Sequence, residues 1–161
     1  MQGSAARTMS YSLDTSGFLD AWIRHYPIDV FPTIWGRLDS AIMNGLLFAS
    51  EEVVRELEKK DDDACAWIKA RPGMIIPFST TIEAEVINLM ARFPRLVDSK
   101  KGRSGGDPFV IAVAMVGGHS VITGENPTGK LDVPRIPDVC KALGIPCIRM
   151  LDFFREQKWN L

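Results

Sequence analysis

Histidine, cysteine and tyrosine are scarce in this 161-residue chain, at two, three and two copies respectively. The cysteines, Cys65, Cys140 and Cys147, form no Cys-x-x-Cys unit, and the histidines are His25 and His119. That poverty of thiolates and imidazoles argues against a structural zinc site. Three thiols cannot all pair, so buried free cysteines and a reducing, cytoplasmic setting are expected. Long apolar runs are missing too, since nothing approaches the ~18 uninterrupted residues of a membrane span. Residues 1–9 carry one arginine with no apolar stretch behind it and do not read as a signal peptide. They are expected to be a frayed tail or a cloning remnant, with Met9 as the native start. An excess of charge of one sign is also absent: the net charge is −1, so no global basic field advertises nucleic acid. Internal repeats, low-complexity tracts and long linkers do not occur.

What the chain does have is apolar material, 46% of its residues, enough for one core over residues 10–161. Short apolar runs alternate with segments of helical period. "YSL", "LLFAS", "GMIIPFS", "HSVIT" and "PCIRM" read as strands. Between them, "SGFLDAWIRHY", "TIWGRLDSAIMNG", "EEVVRELEKK", "DDDACAWIKA" and "TTIEAEVINLMARF" read as helices, with Ser50 a cap and Gly45 a stop. "DPFVIAVAMVGG" is a central buried helix with Asp107 at its cap, and "RIPDVCKALG" and "LDFFREQ" complete the set. Alternation of this kind predicts an α/β protein, a three-layer α/β/α sandwich around a mainly parallel sheet. Trp22 and Trp67 fit helix core faces, whereas Trp35 and Trp159 are left open to packing or to stacking on a base.

In a parallel sheet, ligands gather at the carboxyl ends of strands. Asp14 stands at such an end, where a neutral turn residue would serve the backbone as well, and the hydroxyls of Thr15 and Ser16 follow it. Glu125 lies two residues beyond the fourth strand run, Asp107 opens a helix, and Glu56 borders the apolar stripe of Val53, Val54 and Leu57. Each has a plainer role available: a cap for Asp107, solvent for Glu56, a turn for Glu125. A further segment, "ARFPRLVDSKKGRSGGD", concentrates Arg92, Arg95, Lys100, Lys101 and Arg103 just ahead of Asp107.

"SLDTSGFL", "SEEVVREL", "DPFVIAVAM" and "VITGE" resemble, in order and spacing, the four acidic motifs of PIN-domain ribonucleases. The tail "RIPDVCKALGIPCIRMLDFF" is similar to the branch of PIN-like, VapC-type proteins known as DUF4411, and the resemblance spans residues 10–159. It assigns Asp14, Glu56 and Asp107 to the first three acids. The fourth is usually Asp in a Thr-x-Asp setting; here Thr123-Gly124-Glu125 supplies Glu, longer by one methylene, with Asn126 a neighbouring oxygen donor. The resemblance also implies a hydroxyl after the first acid, filled by Thr15 or Ser16.

Four carboxylates crowded together repel one another, and one or two Mg²⁺ or Mn²⁺ ions, which prefer oxygen ligands, would resolve the conflict. Such ions activate a water for in-line attack on a phosphodiester and stabilise the leaving oxygen. Asp14 and Asp107 are expected as direct ligands, Glu56 as a direct or water-mediated one, and Glu125 as the holder of a weaker second ion. RNA is the substrate implied, with DNA an alternative, and Lys100, Lys101 and Arg103 are candidates to hold its phosphates. The resemblance also implies the toxin of a bacterial toxin–antitoxin pair, a cognate antitoxin partner and a possible homodimer. Two rivals stand beside it. One is a haloacid-dehalogenase-like phosphatase, which would want an acid where Ser16 stands. The other is a catalytically inactive PIN-like module kept for protein contacts. Replacing Lys100, Lys101 and Arg103 together with alanine is expected to weaken RNA binding and flatten its dependence on salt. An unchanged salt slope in a binding titration removes this segment from recognition.

Overall fold

Five strands, all parallel, run in the order β3-β2-β1-β4-β5 in the computed structural model, which describes residues 9–97 and 105–161. They are β1 (Tyr11–Leu13), β2 (Leu47–Ser50), β3 (Ile75–Ile76), β4 (Ser120–Ile122) and β5 (Cys147–Ile148). The helices are α1 (Thr15–Leu19), α2 (Pro32–Met43), α3 (Glu51–Lys60), α4 (Asp62–Lys69), α5 (Thr80–Arg92), α6 (Asp107–Gly117), α7 (Ile136–Leu143) and α8 (Met150–Glu156). Every strand-to-strand connection is helical. Right-handed crossovers therefore put α1–α4 on one face of the sheet and α5–α7 on the other, the expected three layers.

Strand β1 shows why both faces must be covered. Its three residues are all buried, and successive side chains point to opposite faces. Tyr11 packs edge-on against Phe153 of α8 and donates to Glu156 at 2.8 Å. Ser12 faces the other way and donates to the Val110 carbonyl of α6 at 2.9 Å. Helix α6 is apolar nearly all round, with Val110, Ile111, Ala112, Val113 and Ala114 buried, because it crosses the middle of the sheet. It ends at Gly118 with φ of 69°, the left-handed conformation that glycine adopts without strain.

The structure departs from the sequence expectation in several places. "SGFLDAWIRHY" is not one uniform helix: α1 lasts five residues and widens into a π-helical turn, Asp20–His25. Asp107 is not a cap; Gly106 takes that position and Asp107 is the first helical residue. The strands are shorter than their apolar runs, β3 and β5 having only two residues each. Trp35 joins Trp22 and Trp67 around the Phe18 ring, and Trp159 stacks on Phe154, so all four tryptophans are in packing contacts. Cys65 and Cys140 are buried and Cys147 half-buried, all as free thiols. Lys100, Lys101 and Arg103 lie outside the described residues, as do residues 1–8 of the N-terminal segment. Among the described residues no helix is long and apolar enough to cross a membrane.

Phe18 is 1% exposed and anchors α1 beneath the sheet edge. Phe18→Ala is expected to cost about 3–5 kcal/mol. Ile87→Ala, at a position 68% exposed, should stay within about 0.5 kcal/mol. Urea unfolding midpoints of the two variants check the contrast.

Candidate active site

The chain leaves β1 through Asp14, whose backbone N–H donates to the Ile122 carbonyl of β4 at 2.8 Å. Strands β1 and β4 are neighbours, yet the chain visits β2 and β3 on one side before returning to β4 and β5 on the other. The crevice between their carboxyl ends is thus the topological switch point, where open α/β sheets bind ligands. Asp14 leads into α1 in extended conformation at the N-cap, a position at which Asp readily bonds the first turn. Its side chain makes no such bond. Only 3% exposed, it turns into the crevice instead.

Hydroxyls hold it there. Thr123 Oγ1 donates to Asp14 Oδ2 at 2.8 Å, and Ser16 Oγ donates to the same oxygen. The Gly124 N–H donates to Ser16 Oγ at 3.0 Å and the Glu125 N–H to Thr123 Oγ1 at 3.1 Å, so one network fixes both the carboxylate and the turn after β4. Of the two candidate hydroxyls after the first acid, Ser16 is therefore the one that orients it. Thr15 Oγ1 is buried without a hydrogen-bond partner.

The remaining acids arrive from three other elements. Asp107 comes from the first turn of α6 and is 5% exposed; Glu125 follows β4 and stands near enough to Asp107 for its charge to act on it. Glu56 is half-buried on α3, which Ser50 caps by accepting from the Glu52 N–H at 3.1 Å. Both Asp14 and Asp107 feel the charges of Glu125 and Glu56. Burial, then Glu125, raises the Asp14 carboxyl to about 7, although the Ser16 and Thr123 hydroxyls pull it down. Asp107 is pushed well above the carboxylate range, first by burial and then by Asp14 and Glu125. As the side chains stand, no three His, Cys, Asp or Glu among the described residues are disposed to share one metal ion. The donor chemistry nevertheless suits a hard divalent cation: oxygen throughout, over-acidic, and concentrated at one crevice.

Asn126 is otherwise engaged, its Oδ1 accepting from Arg149. Arg149 also donates to the Gly124 carbonyl at 2.7 Å, so it staples the Glu125 turn to the start of α8. Sequence reading passed over Arg149. The signal was its place at the carboxyl end of "PCIRM", the same edge that drew notice to Asp14.

These features define an all-parallel α/β domain with an acidic crevice at its switch point. Residues 11–161 match the family described as "Domain of unknown function (DUF4411)", and the chain belongs to that family. No curated protein matches it. Among solved structures it is similar to VapBC2 from Rickettsia felis, bound to a DNA fragment from its promoter, at 19% identity. That alignment covers 73% of this chain and 88% of the other, with a TM-score of 0.49. It is also similar to FitAcB from Neisseria gonorrhoeae at 17% identity, over 86% of this chain and 96% of the other, again with a TM-score of 0.49.

The raised Asp14 value has a consequence for stability. Between pH ~4 and ~7 the native carboxyl keeps a proton that the unfolded chain has lost, so this group's contribution falls as pH rises through about 7. His119, whose burial lowers its pKa, acts in the opposite sense. The comparison must therefore be with Asp14→Asn. In chelator, the melting-temperature advantage of Asp14→Asn over the native chain is expected to grow from pH 5 to pH 8. A constant difference across that range would place Asp14 in a solvated, uncrowded setting.

Proposed function

We propose that the chain is a divalent-metal-dependent endoribonuclease of PIN-domain type, using Mg²⁺ or Mn²⁺ and serving as the toxin of a bacterial toxin–antitoxin pair. One observation carries the reading: Asp14 forgoes its helix cap and is buried beside three other carboxylates. Desolvating a carboxylate among like charges is costly, and a cation in the crevice offsets that cost. Asp14, Asp107, Glu56 and Glu125 would hold it, and when bound it supplies Lewis-acid activation of water and stabilisation of the departing oxygen.

The chain's own residues do the rest. Ser16 and Thr123 fix the Asp14 carboxylate, leaving Oδ1 clear of their two bonds. Asp107, whose carboxyl is raised by burial and by Asp14 and Glu125, would be the acid most eased by a positive charge in the crevice. Arg149 keeps the Glu125 turn against α8 and adds a positive charge at the rim, where a phosphate backbone would pass. Single-stranded RNA suits such a crevice, since its backbone can bend toward the acids. The motif resemblance supports the toxin assignment and a cognate antitoxin that covers the crevice.

The inactive-module reading has one observation in its favour: among the described residues no three acids are already disposed around one ion. The phosphatase reading loses ground, because Ser16, where that chemistry wants an acid, is bonded to Asp14. Near 100-fold saturation Mn²⁺ is expected to raise the melting temperature by roughly 5–10 °C. Cleavage of single-stranded RNA should accompany that shift. Asp14→Asn should abolish cleavage and most of the shift while folding normally by circular dichroism. Metal-dependent cleavage that survives in Asp14→Asn would overturn the assignment, and a metal-induced shift without cleavage would favour the inactive module.

A further inference from the structure

Beside the acidic crevice, with Thr123 and Gly124 in its wall, lies a cavity of about 280 Å³. That is near the lower bound of pockets that hold small ligands, ~300 Å³. Tyr26 and Met150 give it apolar sides, and Asp20, His25 and Arg149 are its charged or titratable groups. The backbone is shaped around it. The π-helical turn Asp20–His25, a conformation frequent at functional sites, carries Asp20 over Gly124. Asp20 Oδ2 lies so close over Gly124 that an added Cβ there would displace the carboxylate, so Asp20 in this position relies on the bare glycine. Asp20 has an ion pair with Arg24 at 3.5 Å, but the Arg24 side chain is 75% exposed and the pair contributes little.

We propose that this cavity receives the base adjoining the scissile phosphate and selects guanine through Asp20. The proposal rests on the nuclease reading and adds to it a choice of substrate. An ionised carboxylate only accepts hydrogen bonds. Among the four RNA bases, guanine alone presents two adjacent donors, N1–H and N2–H, that meet both carboxylate oxygens. Adenine and cytosine set an acceptor nitrogen beside their amine, and uracil flanks its N–H with two carbonyls. Each of those three would leave a lone pair against Asp20 in a partly desolvated site, which is costly. Single-stranded RNA is commonly read in this way, by hydrogen bonds to an unstacked base edge. Arg149 lines both this cavity and the space beside Glu125. Its guanidinium has five N–H donors, so bonds to Gly124 and Asn126 leave others for the connecting phosphate.

The test uses short single-stranded oligoribonucleotides that differ at one position. Their cleavage by the native chain is measured in Mn²⁺, and their binding to Asp14→Asn by fluorescence anisotropy. Guanine at one fixed position relative to the cut is expected to be preferred roughly 5- to 150-fold, falling below about threefold in Asp20→Asn. Asp20→Asn should keep the Mn²⁺-induced rise in melting temperature, which separates lost selectivity from a damaged metal site. Cleavage without a base preference, or a preference indifferent to Asp20→Asn, overturns the pocket and leaves the nuclease standing. Guanine-selective binding that depends on Asp20, with no cleavage of any oligonucleotide, upholds the pocket and removes the nuclease. Absence of both cleavage and selective binding overturns the proposal.

Discussion

Negative charge forced out of water in the company of more negative charge is the constraint around which this molecule is organised. Asp14 is buried as deeply as many core residues, and its nearest help comes from two hydroxyls rather than from a basic side chain. Hydroxyl donors stabilise a carboxylate, but here burial and Glu125 outweigh them, so Asp14 is shifted upward. A fold that needed only stability would place a neutral turn residue at this strand end. Keeping an acid there makes sense when something positive is to be bound, because local strain and unfavourable charge are commonly concentrated at working sites.

The scaffold spends its polar contacts on this edge. Ser16 and Thr123 link the turn after β1 to the turn after β4, and Arg149 links the latter to the start of α8. Close approach of the chain makes those links short. Gly17 packs so near to β4 that an added Cβ would lie 3.3 Å from the Ile122 carbonyl. Below the edge, Phe18 and three tryptophans form a rigid aromatic floor. The same elements that set the acids therefore also shape the cavity beside them, and Gly124 is the thin wall between the two.

Sequence reading recovered the architecture because alternating strand and helix periods leave few other solutions. It was less sure of local roles. Asp107 followed by Pro108 looks like a cap, and only the structure gives that position to Gly106 and turns the carboxyl toward Glu125. Thr15 and Ser16 were equivalent candidates until the helix turned one hydroxyl to Asp14 and left the other unpartnered. The π-helical turn has no counterpart in the hydrophobic period, since a wide turn disturbs the stripe by less than one residue. Arg149 and Asp20 were missed for a related reason: each matters through contacts with residues more than twenty or a hundred positions away along the chain.

By itself the sequence determined the order of elements, the apolar faces that must be covered, and the presence of acids and hydroxyls just past the first and fourth strands. Those features follow from side-chain chemistry and local periodicity, which act over a few residues. Tertiary structure alone decided which acids share a crevice, which hydroxyl serves Asp14, and that Asp20 stands over Gly124. Such matters depend on distances between segments far apart in the chain, and the crossover pattern of the sheet sets those distances.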